Sequence, residues 1–340
     1  MSRKALRRAL LALLAFSVCI RLAASPAAAH GAETVLGTLR SSETVARLAL
    51  GYFGPLVTPA PSAAPEAEQV PERAAHFAES AALPSPTPSV TVHAPARVLK
   101  ASAPVPSERH TIPLLNKTSY EPDVAALLKA GPSFSLAPEG PQILIVHTHG
   151  SEAYCGTEGS RTTDTEQNVV HIGDVLADEL AARGFCVLHD RTMHDDPTYS
   201  GSYGRSLASM ESVLAEHPEL TVIIDVHRDS VTLSDGTRWR SAFGDDASQV
   251  MLIATNGENG LEHPDWLENF KFALRLQASM EDKYPGLARP LCLSGERYNQ
   301  QAAPGCLILE VGTDGNTLAE AENAVKLFAD AAAEVLAAMA

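Results

Sequence analysis

From about residue 140 onward, apolar and polar positions alternate between two kinds of segment. Short aliphatic runs, PQILIVH, FCVLHD, LTVIIDVH, QVMLIAT and GCLILEVG, place Ile, Leu and Val side by side, the pattern of strands buried on both faces. Between them lie longer segments in which apolar residues recur every three or four positions. EQNVVHIGDVLADELAARG predicts a helix stopped by Gly184, and SYGRSLASMESVLAEHP a second that ends before Pro218. HPDWLENFKFALRLQASMEDKYP and TLAEAENAVKLFADAAAEVLAAM predict two more. Strands that alternate with helices and need cover on both faces imply a largely parallel central sheet. The expected architecture is a three-layer α/β/α sandwich spanning residues 110–340.

The chain ahead of this domain has a different character. In residues 30–109, ETVARLALGYFG carries one helical stripe. The segments that follow it, PAPSAAPEAEQVPERAAHF and LPSPTPSVTVHAPARVLKASAPVPSE, are dense in Pro, Ala and Ser. Such segments bury too little apolar surface to offset chain entropy, so a short helix and a disordered linker are expected here. In residues 1–29, Arg3, Lys4, Arg7 and Arg8 precede an apolar run from Ala9 to Ile20 and an A-x-A-like Ala27 to Ala29. The run is shorter than the roughly 20 residues of a membrane span, and Arg21 interrupts it, which fits a cleaved signal peptide. Continuation through Leu22 to Ala24, with Arg21 reaching to the interface, fits a retained anchor. Both readings export the domain, to the outer face of the cell membrane or beyond it.

A formal net charge of −15 over 340 residues, with no basic cluster after the N-terminus, excludes a protein that neutralises nucleic-acid phosphates. Export permits disulfides, and Cys155, Cys186, Cys292 and Cys306 allow three pairings, among which the sequence does not choose. No two of them have the C-x-x-C spacing of a thiolate metal site.

Ligands of open α/β sheets sit beyond the carboxyl ends of the strands. Three strands here end in coordinating or acid–base residues: ILIV in His147, Thr148 and His149, VIIDV in His227, and LIL in Glu310. Alternation along an extended segment would point His147 and His149 the same way. Two neutral imidazoles and a carboxylate suit Zn²⁺ with a position left open for water, and a further carboxylate can take the proton. Glu310 is placed for that base role, where burial would raise its pKa. Glu152 is the candidate carboxylate ligand and Glu166, at the start of the next helix, its rival. No G-x-S-x-G, P-loop or G-x-G-x-x-G competes.

NKTSYEPDVAALLKAG, PQILIVHTHGSEAY, YSGSYGRSLASMESVLAEHPELTVIIDVHRDS, PGLARP, RYNQQ and LILEVGTDGNTLAEAENAV resemble successive blocks of the stage II sporulation protein P family, from about residue 110 to the C-terminus. HTHxxEAY combined with DVHRDS is the most specific part of the match. The resemblance implies a zinc-dependent peptidoglycan hydrolase related in fold to N-acetylmuramoyl-L-alanine amidases. Its members cleave the amide between N-acetylmuramic acid and L-alanine, and are also credited with cutting peptide cross-links. They act in forespore engulfment with stage II sporulation proteins D and M, membrane-associated through the N-terminal segment.

Carried over by residue, the resemblance maps the metal site onto His147, His149, Glu152 and His227, and the catalytic acid onto Glu310. Matching Gly150 to the glycine of the amidases' DPGHG-like strand end selects His149, whereas the strand-end position selects His147; both stay open. Arg228 is a candidate for a stem-peptide carboxylate and Asp229 for orienting an imidazole. Arg289, Tyr298, Asn299 and Gln300, in stretches rich in loop formers, are candidates to line the substrate groove. Gln301 stands where an acidic residue is expected, and Thr313 where a second glycine commonly follows; both bear on substrate detail. A predominant endopeptidase and a non-catalytic scaffold are the competing readings, and intact His227 and Glu310 argue against the scaffold.

Overall fold

The computed structural model describes residues 87–95 and 112–340, so segment 1–29 and the helix expected in ETVARLALGYFG lie outside the described residues. In chain order the elements are β1 (Val90–His93), β2 (Leu114–Asn116), α1 (Val124–Ala130), β3 (Ile143–Val146), α2 (Val169–Ala182), β4 (Val187–Asp190), α3 (Ser202–Glu216), β5 (Val222–Asp229), β6 (Val250–Thr255), α4 (Trp266–Lys283), β7 (Leu291–Ser294), a 3₁₀ turn (Gln300–Ala302), β8 (Gly305–Thr313) and α5 (Leu318–Ala337). The strands form one sheet in the order β1-β4-β3-β5-β8-β6-β7-β2. β4, β3, β5 and β8 run parallel, so their carboxyl ends share one edge. β6 returns antiparallel to β8, and β7 and β2 follow its direction, while β1 closes the other edge antiparallel to β4.

Alternation along each strand divides the core. Ile143, Ile145, Val187, Ile224, Leu307 and Leu309 face α2, α4 and α5. Leu144, Val146, Leu188, Ile223 and Cys306 face α3, where Met210 and Val213 meet them. Both sides of these strands are apolar because both are covered, which is why they read as unbroken aliphatic runs. Beyond β8, a small cluster of Met251, Ile253, Cys292 and Ile308 with Tyr298 continues the α3 face.

Local chemistry sets the helix ends. The Asn168 side chain accepts from Val170 N–H to start α2, and Gly184, at φ 107°, follows its last turn. Thr317 and Glu320 form a reciprocal capping box on α5. One strand falls where the composition reads as linker: β1 pairs Thr91 with His189 and His93 with Val187. VTVH is a short alternating stretch, and an edge strand needs a partner on one side only, so flanking prolines do not prevent it.

The four domain cysteines are free thiols: Cys155 is exposed, Cys186 half-buried, and Cys292 and Cys306 buried. No helix among the described residues is long and apolar enough to cross a membrane. The β5–β8 register shifts near the carboxyl ends of the two strands. His227 lies opposite Glu310 and Asp229 opposite Thr313, so Arg228 faces two residues of β8. Gly312 takes up this bulge at φ 67°, where a Cβ would also fall 3.0 Å from Ser248 Oγ.

Candidate metal centre

β3 ends at Val146, and residues 147–150 turn instead of continuing extended. The shared direction expected for His147 and His149 therefore fails. His147 keeps the strand's alternation and points under α2. Its Nδ1 lies 3.0 Å from the Val226 carbonyl and its Nε2 2.8 Å from His189 Nε2. Burial, followed by the electrostatic effect of the neighbouring His189 ring, pushes its pKa down to about 3. The turn carries His149 to the α3 face, where its ring stacks on Tyr199 at 4.4 Å and its Nε2 lies 3.1 Å from Ser202 Oγ.

There His149 meets Glu152 and His227. One donor atom from each lies within 4.8 Å of the other two, and all three residues are buried. His149 Nδ1 is 3.7 Å from Glu152 Oε1, and His227 Nδ1 is 3.5 Å from Glu152 Oε2. Each imidazole thus turns Nδ1 towards the carboxylate while its far nitrogen is held elsewhere. Ser202 holds that of His149, and Asp225 Oδ1, at 3.0 Å, that of His227. Restraint on the far nitrogen fixes ring orientation, as in metal-binding histidines. Two imidazole nitrogens and a carboxylate oxygen so arranged fit a Zn²⁺ site. Glu166, the rival carboxylate, is largely exposed and 3.9 Å from His171, outside this trio.

The electrostatics favour a cation here. Burial opposes charge on Glu152, but the His227 hydrogen bond and then Arg228 outweigh it and hold the carboxyl well below the usual carboxylate range. Burial also opposes charge on Asp225, and His227 with Thr148 lowers its pKa nonetheless. His227 answers in kind: burial lowers its pKa, but Asp225 and Glu152 raise it well above the ordinary imidazole value. Two ionised carboxylates flank one buried ring, which is a strong attraction for positive charge.

Asp225 escaped the sequence reading. Its Oδ1 accepts from Thr148 N–H at 2.8 Å and its Oδ2 from Thr148 Oγ1 at 2.7 Å, so it also braces the turn that delivers His149. The available signal was DVH: residues two apart on a strand share a face. Asp229, the residue expected to orient an imidazole, instead pairs with Arg289 at 2.8 Å. Arg289 in turn lies over the Trp239 ring at 5.0 Å.

Arg228 does not present its guanidinium to a ligand. Its backbone N–H donates to Glu152 Oε2 at 3.1 Å, and its side chain donates to the carbonyls of Ala153 at 2.8 Å and Ser160 at 2.6 Å. It clamps the loop that carries Glu152 onto β5. Asn299 and Gln300 are also consumed internally. Asn299, at φ 58°, donates to the Tyr203 carbonyl at 2.7 Å and Ser206 Oγ at 3.0 Å. Gln300 accepts from Thr255 N–H at 3.0 Å and donates to the Ile253 carbonyl at 2.9 Å. Tyr298, at φ 46°, stays on the α3 face, stacked on Tyr203 at 5.5 Å.

Glu310 is the fourth member of the constellation. Register partners on parallel strands share a face, so Glu310 projects beside His227 on the α3 side, next to Met251 of β6. It is 5% exposed. The site thus offers a donor trio, a neighbouring buried carboxylate and an aromatic wall of Tyr199, Tyr203 and Tyr298. Arg161, over Tyr199 at 4.3 Å, extends that wall.

A family model described as Stage II sporulation protein P (SpoIIP) matches residues 77–333. The chain is 30% identical over 209 residues to the stage II sporulation protein P of Bacillus subtilis (strain 168), a match covering 57% of this chain and 50% of that protein. The match spans about half the length of this curated relative. Among solved structures, the N-acetylmuramoyl-L-alanine amidase from Clostridium difficile 630 is 14% identical, covering 58% of this chain and 96% of its own, with a TM-score of 0.35. The CwlD amidase from Clostridioides difficile, solved in complex with the GerS lipoprotein, is 10% identical, covering 56% and 94%, with a TM-score of 0.36.

Proposed function

The chain belongs to the stage II sporulation protein P family, and from that premise we propose that it is a sporulation cell-wall hydrolase cleaving the N-acetylmuramoyl-L-alanine amide of peptidoglycan with Zn²⁺. The observation that carries the reading is the buried meeting of His149, Glu152 and His227, with their donor atoms within 4.8 Å and Glu310 on the adjoining strand. His149 and His227 would hold the metal through Nδ1, and Glu152 through its carboxylate. When bound, Zn²⁺ supplies Lewis acidity that polarises an amide carbonyl and makes a water easier to deprotonate.

The remaining work falls to the protein's own groups. Glu310 accepts the proton of the attacking water and returns it to the departing amine. Asp225 keeps the His227 ring oriented, and Arg228 keeps Glu152 in place through the Ala153 and Ser160 carbonyls. Tyr203, edge-on to His149, and Tyr298, stacked on Tyr203, are half-buried rings beside the site and of a kind suited to sugar faces. Export through residues 1–29, and action beside stage II sporulation proteins D and M, complete the proposal.

The test is digestion of purified peptidoglycan by the full chain, with products identified by mass spectrometry. Stem peptides released from intact glycan strands are expected. Loss of cross-linked dimers alone would replace the amidase reading with an endopeptidase, and unchanged peptidoglycan would sink both. Glu310→Gln should keep its zinc while turning over about 10² to 10⁴ times more slowly, the usual worth of a general base. Loss of zinc from that variant would make Glu310 a ligand instead.

A further inference from the structure

On the face of the sheet opposite the candidate centre, a second set of metal-ligating side chains meets where β1, α2 and β4 adjoin. His93, Asp174 and His189 each bring one donor atom within 4.8 Å of the other two. The surrounding hydrogen bonds determine where the lone pairs fall. His147 Nδ1 faces a carbonyl at 3.0 Å, so it carries the proton, and the Nε2 of the neutral ring is a lone pair. That lone pair lies 2.8 Å from His189 Nε2, which must donate to it. A neutral His189 then keeps its own lone pair on Nδ1, which faces Asp174 Oδ1 at 3.0 Å. His93 donates from Nδ1 to Asp178 Oδ1 at 2.8 Å. Its Nε2 is therefore a lone pair too, and it is buried without a hydrogen-bond partner.

One donor atom of each residue thus lies near the other two, with no proton assigned between His189 Nδ1 and Asp174 and none on His93 Nε2, an arrangement that a cation would relieve. Arg191 donates to the other Asp174 oxygen, which leaves Oδ1 facing the His189 ring. α2 is also shaped for the ring pair: a Cβ at Gly173 would fall 2.5 Å from His147 Nε2 and 2.6 Å from His189 Nε2.

We propose that His93, Asp174 and His189 form a second divalent-cation site, separate from the candidate hydrolytic centre, that fastens edge strand β1 to α2 and β4. Two imidazoles and one carboxylate suit a cation of intermediate softness, Zn²⁺ foremost. β1 is four residues long and Val92 is 62% exposed, so the strand has little apolar burial of its own to hold it. The metal joins a strand from the N-terminal side of the domain to its core.

The experiment is metal analysis of the full chain after dialysis against Zn²⁺ and then metal-free buffer. Wild type is expected to retain two zinc ions per chain, His93→Asn one, His227→Ala one, and the double variant none. Asparagine at position 93 keeps a polar donor for Asp178 and is compatible with an edge strand, and circular dichroism checks its fold. Zinc should also slow amide exchange across residues 90–93 in wild type and not in His93→Asn. Wild-type zinc content in His93→Asn, or a single wild-type zinc abolished by His227→Ala, would overturn this site while leaving the hydrolytic reading intact. A single zinc that survives His227→Ala and disappears in His93→Asn would instead remove the metal from the hydrolytic reading.

Discussion

Asp225 offers the sharpest test of how the candidate centre is held, because two substitutions there separate its charge from its hydrogen bonds. The side chain is 1% exposed. Its Oδ1 accepts from Thr148 N–H at 2.8 Å and is an ion-pair partner of His227 Nε2 at 3.0 Å, and its Oδ2 accepts from Thr148 Oγ1 at 2.7 Å. In Asp225→Asn, the amide oxygen can keep both Oδ1 partners. The amide NH₂ meets Thr148 Oγ1, whose own proton can turn to Ser206 Oγ, 2.8 Å away. No hydrogen bond need be lost, only the negative charge behind His227. The expected effect is about tenfold weaker zinc binding, the low end of what removing such a partner costs, or ~1.4 kcal/mol. Asp225→Ala differs, because it strands the buried Thr148 N–H at about 1–3 kcal/mol and also leaves the buried His227 ring without its ion-pair partner, so stability should fall by at least that much. Its zinc affinity should fall about 100-fold. Zinc affinity is read by competition with a chromophoric chelator, in a His93→Asn background so that one site reports, and stability by urea midpoint. Zinc binding by Asp225→Asn within about twofold of its parent, or wild-type stability in Asp225→Ala, would refute the reasoning.

Two further outcomes are expected elsewhere in the fold. Burial opposes ionisation of Glu320, but Arg240, Asn316 and the Thr317 N–H outweigh it and bring its pKa to about 2. A depressed folded-state pKa gives stability that is present above the unfolded value near 4.5 and lost as pH falls towards 2. Glu320→Gln should therefore unfold more easily at pH 7, by on the order of 2 kcal/mol after discounting for half-exposed Arg240. That gap should close by pH 2, and a constant gap from pH 7 to pH 2 would contradict it. Gly173→Ala should destabilise by about 1–3 kcal/mol in urea unfolding, despite a helix-propensity gain of about 1 kcal/mol, because its Cβ overlaps the His147–His189 pair. A raised midpoint would show that the pair is free to move.

The sequence by itself determined the alternation of elements, the three-layer architecture and the residue types gathered at the ends of β3, β5 and β8. These are local matters: a strand covered on both faces must be aliphatic at every position, and a helix packed on one side must repeat at 3.6. The tertiary structure decided which of those residues meet. His147 and His149 are two apart in a histidine-rich strand end, yet the turn after Val146 sends them to opposite faces of the sheet. Glu152 and Glu166 are the same residue type a short way apart in the chain, and the clamp from Arg228 to the Ala153 and Ser160 carbonyls is what brings the first to His227. Asp225, Asn299 and Gln300 took or lost a place at the site through hydrogen bonds to residues 45 to 96 positions away. β1 joined the sheet because His93 and Thr91 found β4, about a hundred residues on. Periodicity reports how one element buries its own faces. Donor geometry depends on register and hydrogen bonds between elements, and a pattern read along one strand does not contain its neighbour.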